Sequence, residues 1–201
     1  MNNKGFTTVE VIISFALVVI VMVSMTSMLV SYRDTISTEE IKTRMVEFKN
    51  SITYMIYEDI VYNSIDSIRY CDTDNTTTIN GKCVDFFRNG EKQYRLELID
   101  NVQSTGTENN KVYKTFLDYR GIRIMLPDSD LNKIEYKTKP NGQVEKDGNG
   151  NPIVDKAKQV SVLYDFIIPS DDSEMGITSL TIPFEHHGID YRDEIKIIVT
   201  K

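Results

Sequence analysis

Four places in the chain hold side chains whose type and spacing could do chemistry. Glu10 stands at the edge of Val11–Val30, twenty residues without a charge. Insertion scales put an acidic residue at the centre of such a helix at about 2.5–3.5 kcal/mol unfavourable. A carboxylate kept there needs a reason, and a positive partner in the same low-dielectric layer would supply one. From the residues alone a second reading stands beside it, an interfacial acid that simply reaches out to water. Cys71 and Cys83 are the only two cysteines. Outside the cytoplasm such a close pair forms a disulfide, the favoured reading. Closing the polar loop between them would contribute roughly 3 kcal/mol in the chain-entropy picture. Two free thiols are the alternative. A zinc site is not expected, because it wants four ligands.

Asp147, Asn149, Asn151 and Asp155 repeat the oxygen spacing of a calcium loop. Lys158, however, stands where a bidentate Glu is needed, and Pro152 stands where the sharp-turn Gly belongs. A Gly/Asn-rich turn is the expectation. Glu185-His186-His187 suggests metal or acid–base work, but neighbours on a strand point to opposite faces. A hairpin turn fits better. No nucleophile elbow, phosphate loop or paired-carboxylate pattern occurs elsewhere. The chain therefore reads as no enzyme, with no cofactor.

These residues depend on elements that the pattern lays out in order. Twenty residues at helical rise span roughly 30 Å, the thickness of a bilayer core. No Gly or Pro occurs between Phe6 and Asn80, so helix should continue well past the apolar run. Apolar residues at Ile36, Ile41, Met45, Phe48, Ile52, Met55, Ile56 and Ile60 follow a helical stripe. If continuous to about Tyr62, this helix is roughly 85 Å long. Ser37 with Glu40 resembles a capping box, which would allow a bend near 33–38.

Beyond it, Val84–Arg88 and Gln93–Ile99 flank Asn89-Gly90, a strong hairpin signal. Val112–Tyr119 and Ile122–Leu126 flank Arg120-Gly121 as a second hairpin. Asn101–Asn110 reads as a polar loop and Ile134–Lys137 as a short strand. Pro140–Pro152 reads as an exposed loop or hairpin tip. Val160–Ile168, Ile177–Phe184 and Tyr191–Val199 complete the strands, the last alternating Ile195, Ile197 and Val199. The expected fold class is α+β: a long N-terminal helix, half apolar and half amphipathic, packed on an antiparallel β-sheet head. The segments are 1–5, 6–30, 31–66 and 67–201.

About 170 residues follow the span, enough for one domain with a real core. The net charge of −7 argues against nucleic acid as a direct partner. The most basic window, 133–158, has six Lys against four acids and reads as a solvated loop. No A-x-A cleavage pattern follows the apolar run, and no Cys lies near it, so neither a secretory signal peptide nor a lipobox fits. A plain signal anchor would explain the span and leave Gly5, Phe6 and Glu10 as coincidence.

The N-terminus resembles the type IV pilins and the pseudopilins of secretion and competence systems. That family carries a short polar leader ending in Gly, then an aromatic residue, then a Glu four residues beyond it and an apolar helix. Met1–Gly5, Phe6, Glu10 and Val11–Val30 match in type, spacing and position over about thirty residues. The resemblance implies a pilin-like lollipop fold and cleavage between Gly5 and Phe6 by a prepilin peptidase, followed by N-methylation of Phe6. Glu10 would meet the freed amine of a staggered copy and fix subunit register. It also implies the other partners: the membrane, an assembly platform protein and further pilin subunits. The protein would sit in the cell membrane, single-pass with its head outside, before entering a pilus or pseudopilus. The large, loop-rich head resembles minor subunits, at the tip or priming assembly. One departure is the lack of any Gly or Pro within the span, which puts the partial helix melting of some filaments in doubt. An adhesin or ligand-binding head carried on a pilus is the alternative, though the loops 101–110 and 140–152 hold almost no apolar or aromatic residue.

Overall fold

The computed structural model describes residues 7–71, 81–104, 111–169 and 177–200. The chain forms two compact units, residues 1–41 and 42–201. A single helix, α1 (Thr8–Asn63), runs through both. Without Gly or Pro nothing interrupts its ladder, and the polar side chains that might do so turn inward. Thr35 donates its hydroxyl to Ser31 O at 2.9 Å and Thr38 to Asp34 O at 2.9 Å. Such back-bonding satisfies a hydroxyl within the helix. The helix runs without a break across 33–38, and Ser37–Glu40 lies mid-helix rather than at a helix start.

The helix stops at a built end. Ser64 adopts φ 50°, its N–H reaches Val61 O at 3.3 Å, and the Ile65 N–H reaches back to Ile60 O at 3.0 Å. This is the Schellman arrangement, with buried Ile60 and Ile65 supplying its usual apolar contact. Ser occupies the left-handed position that Gly ordinarily takes. The helix thus ends at Asn63, beside the expected Tyr62 and within the segment drawn to 66.

In the second unit α1 buries Met45, Phe48, Ile52, Ile56 and Ile60, spaced three or four apart. Each such side chain contributes about 1.5–3 kcal/mol. Ile36, read as part of this stripe, is instead exposed. Phe48 meets Phe184 edge-on, ring centroids 5.6 Å apart.

The head holds two antiparallel sheets rather than the single one expected. The first orders β1 (Ser67–Tyr70), β2 (Cys83–Arg88), β3 (Glu91–Ser104), β4 (Lys111–Tyr119) and β5 (Ile122–Met125) side by side. The second orders β6 (Ser161–Leu163), β7 (Ile177–His186) and β8 (Tyr191–Thr200). Both expected hairpins form. Asn89 and Gly90 (φ 51° and 80°) join β2 to β3, and Arg120 and Gly121 (φ 54° and 81°) join β4 to β5. Two successive positive φ values give the tight turn that matches strand twist. In β8 the alternation holds, with Ile195, Ile197 and Val199 buried.

Three expectations shift. β3 continues through Asn101–Ser104, where a loop was expected, and pairs with Lys111–Lys114 of β4. Only Ser161–Leu163 of the run 160–168 forms a strand, with Ile167 adding a lone bridge to Thr181. Ile134–Lys137 holds one isolated bridge, Tyr136 to Val154. Asn132 explains the early part of that run. It is fully buried, donates to Ser161 O at 2.7 Å, and accepts from Val160 N at 2.7 Å and Ser161 N at 3.1 Å. Two further bonds tie the sheets: Leu163 N to Thr115 Oγ1 at 3.2 Å, and Tyr70 OH to Phe166 O at 3.2 Å.

Between the sheets, residues 133–155 make an exposed arm of three short segments. Lys137 N donates to Ile153 O, Glu145 N to Lys137 O and Ile153 N to Glu145 O, at 2.8–3.0 Å. The backbone groups satisfy one another with almost no buried side chain.

Candidate functional site

Helices leave their first N–H groups without partners, and at the start of α1 Glu10 answers this need. Its Oε2 accepts from Thr7 N at 2.9 Å and from Thr7 Oγ1 at 3.0 Å, while Thr7 Oγ1 accepts from Glu10 N at 3.3 Å. This reciprocal pair is a capping box. The carboxylate is thus held on its own chain at the head of the apolar run. The S/T-x-x-E pattern read at Ser37–Glu40 lies here too, as Thr7–Glu10, and could have been found in the sequence.

From Val9 to Val30 the helix buries nothing: Phe15 is 71% exposed and Met28 76%. A contiguous apolar surface of that extent marks a place where something other than water is meant to touch. The helix is long and apolar enough to cross a membrane. Two of its hydroxyls turn back onto the helix: Ser24 donates to Ile20 O at 2.9 Å and Thr26 to Met22 O at 2.8 Å. The helical ladder and these two hydroxyls bond within the segment, as an apolar environment favours. Gly5 and Phe6, the expected cleavage and methylation positions, lie outside the described residues.

Cys71 and Cys83 form a disulfide, Cα atoms 5.5 Å apart, joining the end of β1 to the start of β2. Beside it Asp85 is buried yet charged. Arg95 donates twice, from Nε at 2.8 Å and Nη2 at 3.1 Å, and Lys92 Nζ lies at 2.9 Å. Burial alone would raise its pKa; the hydrogen bonds from Arg95 and then Lys92 outweigh that and hold it below the ordinary carboxylate range.

A second polar tie joins α1 to the β4–β5 turn. Tyr119 OH donates to Asp59 Oδ2 at 2.6 Å, and Arg120 Nη1 donates to Asp59 Oδ1 at 2.8 Å. Burial first, and then this bond to a carboxylate, push the Tyr119 phenol well above its usual range. Lys49 on α1 reaches Asp193 on β8 at 2.7 Å, and Arg44 reaches Asp128 at 3.1 Å. Nothing in the sequence marks these pairs, whose members lie 60 to 144 residues apart.

The remaining candidates are parts of the scaffold. Asp147 Oδ1 accepts the backbone N–H groups of Asn149 at 2.9 Å and Asn151 at 2.8 Å. Those amides, Asn151 foremost, lower its pKa. Its carboxylate shapes the turn. Asp155 N instead pairs with Glu135 O across the arm. His186 ends β7 and turns Nε2 toward Asp128 Oδ2 at 3.2 Å, whereas His187 turns Nε2 toward Glu185 Oε2 at 2.8 Å. The two imidazoles face different partners. Comparison with family models, with curated proteins and with solved structures returns no match to this chain.

Proposed function

We propose that the chain is a pilin-like filament subunit. Its leader through Gly5 is removed by a prepilin peptidase, the amine of Phe6 is methylated, and α1 leaves the membrane to pack in the core of a pilus or pseudopilus. The observation that carries this reading is the wholly exposed, unbroken apolar helix with one carboxylate fixed at its mouth. A soluble protein has no use for such a surface. A plain membrane anchor would use such an acid only to cap its helix. The mass of the head suits a minor subunit, and its disulfide suits an oxidising compartment.

Glu10 then serves as the acceptor for the Phe6 amine of an adjoining copy. Two charges, each costly alone beside lipid, compensate one another and set the stagger between copies. The work is mechanical, with no catalytic residue. Mass spectrometry of the native N-terminus tests the reading: material beginning at methylated Phe6 is expected, and intact Met1 in a strain with an active peptidase would refute it. Glu10→Leu is expected to be cut normally yet fail to enter filaments.

A further inference from the structure

Resting on the reading of Glu10 as an intersubunit acceptor, we infer that Thr7 is the positioning residue that makes Glu10 competent for that contact. A free Glu side chain samples many rotamers and, beside an apolar layer, would swing toward water. Here Thr7 holds it with both of its polar groups. The backbone N–H and the hydroxyl converge on one oxygen, Oε2, at 2.9 and 3.0 Å. The hydroxyl in turn takes the Glu10 N–H at 3.3 Å. No bond is formed to the other oxygen, Oε1, among the described residues. One oxygen is committed to the chain's own helix start, and the other has no donor among the described residues.

The ordering entropy of the carboxylate is met within the subunit before any neighbour arrives, and preorganisation of this kind raises affinity without a new contact. The hydroxyl matters for its oxygen rather than its methyl. Val at position 7 keeps the shape and loses the bond, whereas Ser keeps the bond.

The test compares Thr7→Val, Thr7→Ser and Glu10→Leu in the native host at equal expression. It reads the fraction of full chain recovered in sheared filaments and the mass of the mature N-terminus. Loss of one charge-assisted bond predicts roughly ten-fold less filament-borne protein for Thr7→Val, with Thr7→Ser close to the parent and processing unchanged in both. If Thr7→Val assembles like the parent while Glu10→Leu fails, the positioning role is wrong and the acceptor role survives. Failure of Thr7→Ser alongside Thr7→Val also overturns it, because the hydroxyl is then not what counts. So does an uncut Thr7→Val chain, whose defect would lie at the peptidase. Normal assembly of Glu10→Leu removes the acceptor role and this inference with it.

Discussion

Removing the carboxylate of Asp59 isolates the tie between α1 and the β4–β5 turn. Tyr119 is 1% exposed, and in Asp59→Ala its hydroxyl loses a 2.6 Å partner. Leaving a buried donor unpaired costs about 1–3 kcal/mol. The Arg120 contact adds little, because that side chain is 52% exposed and such pairs contribute about 0–1 kcal/mol. Asp59→Ala should therefore cost about 2–3 kcal/mol, and Arg120→Ala less than about 1 kcal/mol. Tyr119→Phe should fall between them, since Asp59 then keeps Arg120 and some solvent. The double variant Asp59→Ala/Tyr119→Phe should cost less than the sum of its parts, the signature of direct coupling. Urea unfolding of the full chain in detergent, followed by near-ultraviolet circular dichroism of its eleven tyrosines, reads these values. With a slope of about 2 kcal/mol per molar, the Asp59→Ala midpoint should fall by roughly 1 M. Strict additivity, or an Arg120→Ala loss equal to that of Asp59→Ala, would refute the assignment of the tie to a buried phenol–carboxylate bond.

Other outcomes follow from single positions. Ser64→Gly should raise stability by about 0.5–1 kcal/mol, because φ 50° there strains any residue with a Cβ; an unchanged midpoint would contradict the helix-end geometry. Gly90→Ala should cost only its backbone strain, about 1–2 kcal/mol, since nothing lies within 4 Å of its added methyl. Gly81→Ala should cost more, because at φ 93° its methyl would also sit 2.9 Å from Asp165 Cβ. Equal losses at the two glycines would count against the close approach at Gly81. Asp85, whose folded pKa is depressed, contributes stability that is complete above the ordinary Asp value near 4 and fades as pH falls through the folded value. Asp85→Asn should flatten the acid limb of a pH–stability curve below about pH 4, and identical limbs would argue against the Arg95 and Lys92 pairing.

What the sequence disclosed is what short-range physics decides. Asn89-Gly90 and Arg120-Gly121 demand positive φ wherever they occur, and the run Met45 to Ile60 carries its periodicity openly. Glu10, Cys71 and Cys83 stood out by type and place. The strand Ser67–Tyr70 did not, since Ser-Ile-Arg-Tyr has one buried side chain and gains its conformation from pairing with Val84–Phe87. Val160–Ile168 looked like one strand because it is apolar. Its regular strand ends at Leu163, and beyond it Ile167 keeps a lone bridge to Thr181. Asn132 reads as an ordinary loop residue, and only the folded chain brings it against Val160 and Ser161. Thr7 was legible but overlooked, for the same four-residue pattern recurs at Ser37, where the helix is already under way.

The arm at 133–155 has a practical consequence. Its two tips, around Asn141-Gly142 and Asn149-Gly150, are exposed and close through main-chain bonds and the Asn141 and Asp147 side chains, so an epitope or dye grafted at either would displace no core side chain. A label placed beside Gln143 would leave the core of the head untouched.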